Sequence, residues 1–183
     1  MSLAEVLAIA AVIAAAGILA FFLMWQRRNR LRRHFGPEYD RAVQETGSKY
    51  RAEAKLEKLE KRVKKFDIRP LTSEERVRYR EHWKTIQTSF VDDPDMALQQ
   101  ADDIVSEVMS TCGYPLTDFE DQAAQLSVDH PLIVEHYREA HETAIRRARR
   151  EASTEDVRKA LIHYRTLFDE LVVEPIPAGG GRG

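Results

Sequence analysis

The sequence predicts an all-α protein: an N-terminal transmembrane helix, a charged stalk helix, and a small bundle of four or five helices. Three observations carry this prediction. The first 25 residues hold a long apolar run with a single charge. Apolar residues in the remainder recur at spacings of three and four, the period of a helix face. Helix-start residues and Gly or Pro stops punctuate those periodic stretches, and no segment alternates as a strand would.

The anchor comes first. Leu3 to Trp25 reads LAEVLAIAAVIAAAGILAFFLMW, in which only Glu5 is charged. As a helix it would be about 34 Å long at 1.5 Å per residue. A hydrocarbon core of roughly 30 Å is covered by that length. Trp25 sits where an amphipathic ring favours the lipid–water interface. Arg27, Arg28, Arg30, Arg32 and Arg33 follow at once, and nothing basic precedes the run. Positive charge marks the cytoplasmic flank, so the N-terminus is expected outside and the body in the cytoplasm, on a cell's inner membrane. A cleaved signal peptide would carry its positive charge in front of the apolar core, the reverse of this order.

Charge then divides the body. From Arg27 to Arg69 there are 15 Lys+Arg against seven Asp+Glu, and from Pro70 onward 13 against 22. A basic segment beside an anionic leaflet is electrostatically favourable, so membrane lipid is an expected partner. Phe35-Gly36-Pro37 interrupts the chain after the anchor and its basic flank (1–33). A charged stalk helix is expected over 34–70, with Leu56, Leu59, Val63 and Phe66 as a narrow seam and Gly47-Ser48 as a weak point.

The bundle is expected over 71–174. Thr72 and Glu75 make a capping box opening a helix whose buried face is Tyr79, Trp83, Ile86 and Phe90. Asp93-Pro94 starts a second helix, with Ala97, Ala101, Ile104, Val105, Val108, Met109 and Cys112 as its stripe and Gly113 as its stop. Thr117 with Glu120 reads as a further capping box, for a short helix through Leu126. Asp129-His130-Pro131 reads as the start of a helix running to about Arg150. The last helix opens at Ser153 and shows Val157, Ala160, Leu161, Tyr164, Phe168 and Leu171 on one face. The glycine-rich tail, 175–183, is expected to be disordered.

Few chemistries are left open. Cys112 is the sole cysteine, which excludes an internal disulfide and multi-thiolate zinc sites. No nucleophile elbow, phosphate-binding loop or dinucleotide fingerprint is present, so no cofactor and no catalytic residue is assigned. The candidate metal ligands are Asp129, His130, Glu135, His136 and His141. His136 and His141 lie roughly 140° apart around a helix, poor for shared coordination. Neither His-Glu-x-x-His nor Glu-x-x-His occurs, and a half-buried core role for His141 is the more economical reading. Thr85 to Tyr137 holds 11 acids and no Lys or Arg, so Asp92, Asp93, Asp102 and Asp103 are candidates for a surface that docks a basic protein partner. That surface could equally pair with Arg146, Arg147, Arg149 and Arg150 of the same chain. Acids are interspersed through the basic stalk, so nucleic acid is not an expected partner.

Six stretches carry a resemblance: Phe35-Gly-Pro-Glu-Tyr-Asp-Arg41, Phe90-Val-Asp-Asp-Pro94, Gly113-Tyr-Pro115, Leu126-Ser-Val-Asp-His-Pro131, Val134-Glu-His-Tyr-Arg138 and Ala152-Ser-Thr-Glu-Asp156. In these the chain resembles a family of bacterial single-pass membrane-anchored helical proteins. The resemblance implies an anchored helical domain and carries over no activity. The reading as a whole is of a non-enzymatic interaction or scaffold module. Its rival is a metal- or small-ligand-binding helical domain, possibly enzymatic, using the His130–His141 segment.

Overall fold

The computed structural model describes residues 3–173, with side chains from Val12 to Val172. The expected disordered tail lies outside the described residues. Eight helices follow in order: α1 (Leu3–Phe35), α2 (Pro37–Thr46), α3 (Lys49–Val63), α4 (Ser73–Ser89), α5 (Pro94–Thr111), α6 (Phe119–Asp129), α7 (Val134–Ala148) and α8 (Thr154–Val173). There is no strand among the described residues, so the chain is all-α. It divides into two compact units, one ending at Leu56 and one beginning at Glu57.

In the first unit α1 has two dissimilar ends. Every residue from Val12 to Gln26 is exposed, including Phe21 at 73% and Trp25 at 54%. Leu31 and Phe35, at the other end, are wholly buried with Tyr39, Ala42, Ala52 and Leu56. Gly36, at φ 50°, lets the chain turn between α1 and α2, and its N–H bonds back to Arg32 O. The single stalk helix expected over 34–70 is in fact two helices. Gly47 adopts φ 64° and closes α2 through its N–H to Val43 O, so α3 starts in a new direction. Arg28 on α1 and Tyr39 on α2 both donate to the buried Glu53 carboxylate on α3, at 3.0 and 3.1 Å. The carboxylate is thereby paired, as a buried charge must be.

Among the described residues no helix is long and apolar enough to cross a membrane. The expected span, Leu3–Trp25, has its outer part in Leu3–Ala11, whose side chains are outside the described set.

The second unit takes in the end of α3 and a five-helix bundle, α4 to α8. Its central helix is α8, which packs on α7, α5 and α4, while α4 packs on α5 and α6 on α7. The apolar stripes read from the sequence point inward. Tyr79, Trp83 and Ile86 of α4, the α5 stripe from Ala97 to Met109, and Val157, Ala160, Tyr164, Phe168 and Leu171 of α8 are all buried. Trp83 stacks on Phe168 at 4.7 Å between ring centres. Such a pair adds about 0.5–1.5 kcal/mol beyond the area it buries.

Helix ends account for most of the boundaries. The Thr72–Glu75 capping box is complete in both directions. Asp93 caps α5 through the Met96 N–H. Ser153 caps α8, accepting from Asp156 N–H while Asp156 accepts from the Ser153 backbone. Two helix starts in the bundle differ from the sequence reading. Asp118, not Thr117, caps α6, its carboxylate accepting the Asp121 N–H at 2.9 Å. The α7 helix begins at Val134, because residues 131–133 form a turn after Pro131. Gly113, at φ 101°, would place a Cβ 2.3 Å from Asp67 O, so only glycine fits where α5 ends against the α3–α4 connection.

Candidate functional site

α7 and α8 form an antiparallel hairpin closed by residues 149–153, with Arg150 at φ 63° in the turn. Both helices bury an alanine along the hairpin, Ala140 and Ala160. Small residues let two helix backbones approach, and the next turn outward on each helix carries His136 and His163. Their Nδ1 atoms lie 2.8 Å apart. Glu139, one turn from His136 on the same helix face, brings Oε2 to 3.3 Å from His163 Nδ1 and 4.0 Å from His136 Nδ1. The three side chains are 40%, 29% and 53% exposed for His136, His163 and Glu139, so solvent reaches the cluster. Among the described residues it is the one group of three such ligand side chains converging within bonding reach of a single ion.

Two imidazoles meeting Nδ1 to Nδ1 at 2.8 Å constrain each other. Two bare lone pairs repel at that distance, and so do two N–H groups. One proton or one cation must therefore lie between them. A cation placed between them would also lie beside the Glu139 carboxylate.

The five metal candidates read from the sequence do not converge on one site. Asp129 accepts from the Tyr114 hydroxyl at 2.8 Å. His130 is buried, with Nδ1 3.1 Å from Glu170 Oε1. Glu135 is exposed on α7. His141 stacks flat on Phe119 at 3.6 Å, and its Nδ1 is 3.9 Å from Asp102 Oδ1, too long for a hydrogen bond. His136 alone joins the cluster. Sequence reading missed Glu139 and His163. The available signal was a His-x-x-Glu step on α7, the reverse of the Glu-x-x-His order sought, together with a histidine at a comparable distance beyond the α7–α8 turn.

The acidic surface is largely committed inside the molecule. Asp93 and Asp118 are helix caps. Asp95 binds Arg147 at 2.6 Å, the internal pairing with the arginine cluster that the sequence allowed. Asp102 accepts from the Tyr164 hydroxyl at 2.8 Å, Glu120 holds Arg138 at 2.6 Å, and Asp121 faces Arg62 at 3.4 Å. Asp92 and Asp103 remain exposed. Partial burial raises the Asp103 carboxyl pKa, and the neighbouring Asp102 charge raises it further.

At the other end of the chain, Trp25, Gln26, Asn29, Arg30, Arg33 and His34 line a shallow notch on α1. Arg32 is exposed, Arg27 is half-buried, and Arg28 is bound to Glu53. Cys112 is buried, and that burial pushes its thiol pKa up to about 11. It is therefore held as an unreactive thiol.

Comparison with known protein families, with curated proteins and with solved structures finds no match.

Proposed function

We propose that this chain is a membrane-tethered helical module. Leu3–Trp25 is its anchor, and the body stands on the cytoplasmic face as a non-enzymatic interaction or scaffold unit. One observation carries the reading: from Val12 to Trp25 the helix is apolar on all sides and, among the described residues, exposed throughout. A helix that is hydrophobic all round belongs either in a large core or in lipid. Water-exposed apolar surface of this extent marks a contact with another phase or partner. The notch of Trp25, Arg30 and Arg33 suits the interface, where indole and guanidinium groups meet lipid headgroups. The body offers Asp92, Asp103 and Glu135 to partners, the other acids of that surface having work within the fold.

The test is alkaline carbonate extraction of membranes carrying the full-length chain. It stays in the pellet if the segment spans lipid, and deletion of residues 3–25 moves it to the supernatant. Recovery of the intact full-length chain in the carbonate wash would refute the anchor.

A further inference from the structure

We propose that His136, Glu139 and His163 form a divalent transition-metal site on the α7–α8 seam, and that its ion is zinc. The argument starts from the three atoms already described. Zinc bonds of roughly 2.0–2.1 Å to imidazole nitrogen and carboxylate oxygen, in tetrahedral geometry, place neighbouring ligand atoms about 3.3 Å apart. The cluster has separations of 2.8, 3.3 and 4.0 Å between His136 Nδ1, His163 Nδ1 and Glu139 Oε2. They straddle the required edge. Rotation of three side chains that all reach solvent would bring them to it.

The donor set selects the class of ion. Two imidazoles and one carboxylate suit zinc and its neighbours in the transition series, whereas magnesium and calcium require oxygen ligands. Binding also resolves the confrontation of the two Nδ1 atoms. Each ring becomes its Nε2–H tautomer and directs the Nδ1 lone pair at the metal.

Three protein ligands leave the fourth tetrahedral position open, and the exposure of the cluster directs it to solvent. Structural zinc sites are closed by four protein ligands, and this one is not. The last position of the ion is consequently free to take water or a donor atom from outside the chain. The site also joins α7 to α8 at the end of the hairpin away from the turn, so loading it clamps the pair.

The experiment uses the untagged full-length chain in detergent, titrated with zinc against a fluorescent chelator. One equivalent binds to the wild type. His136→Ala and His163→Ala each weaken it by about tenfold or more, and Glu139→Gln weakens it less, keeping the shape while losing the charge. His82→Ala, an exposed histidine on α4, leaves binding unchanged. Cobalt in place of zinc gives a visible absorption band that the His163→Ala variant lacks. Helical circular dichroism of each variant establishes that the fold persists. The proposal is overturned if the wild type binds no stoichiometric zinc, if His163→Ala binds as tightly as wild type, or if His82→Ala loses binding equally. A histidine pair that only shares a proton would give the first of these results.

Discussion

The two longest helices, α1 and α8, treat their apolar residues in opposite ways. In α8 the apolar positions gather on one face, and Val157, Tyr164, Leu167 and Phe168 disappear into the core. In α1, from Val12 to Trp25, they occupy every side of the helix and remain uncovered. Apolar content therefore says little about a helix's place in a fold. Its distribution around the axis decides, because only a one-sided stripe can be buried against neighbours while the rest meets water.

The contrast is broken most sharply by one pair of substitutions. Phe168→Ala empties the space against Trp83 and is expected to cost about 3–5 kcal/mol. Phe21→Ala removes an exposed ring and is expected to change stability by less than about 0.5 kcal/mol. Chemical denaturation of the full-length variants, followed by helical signal, measures both. Equal losses would mean that α1 has a protein partner after all. A middle-sized effect tests how tightly the body is built. Gly113→Ala must place a methyl group 2.3 Å from Asp67 O at φ 101°. It should lower stability by at least about 2 kcal/mol in the same assay.

The smallest effect concerns a helix end. Arg69 and the Thr72 backbone N–H hold Glu75 at about 2, below its ordinary value of 4.5. A carboxylate whose value falls on folding adds stability above its unfolded value, and loses it as pH drops through the folded one. The contribution is thus present above about pH 4.5 and gone below about pH 2. Glu75→Gln should flatten the pH dependence of the unfolding midpoint between those limits and leave it unaltered above them. The group is exposed to solvent, which keeps this effect modest.

What was legible in the sequence follows from the range of the physics involved. Helix starts at Thr72, Asp93 and Ser153 were readable because a cap bonds within three residues. The inward stripes of α4, α5 and α8 were readable because burial imposes the helical period. Asp118 was passed over for Thr117 because adjacent residues can both cap, and backbone geometry chooses between them. The stalk was read as one helix because Gly47 only weakens a helix in sequence terms, and its left-handed backbone appears once α3 folds back to place Glu53 beside Arg28. The candidate site was the least legible part. His163 meets His136 across 27 residues, and that contact depends on how two alanine-faced helices align. No local pattern encodes such an alignment. Seven residues of separation on one helix, as between Glu135 and Glu142, would have been easier to weigh and would have meant less.

The burial of Cys112 has a practical consequence. At neutral pH its thiol is almost wholly protonated and shielded, and the chain holds no other cysteine. Maleimide reagents should therefore pass over the natural protein. A cysteine introduced near the N-terminus or on the α4 surface would become the sole labelled position. Impermeant reagents applied to intact cells could then test the proposed anchor, which requires the two positions to differ in accessibility, against a silent background.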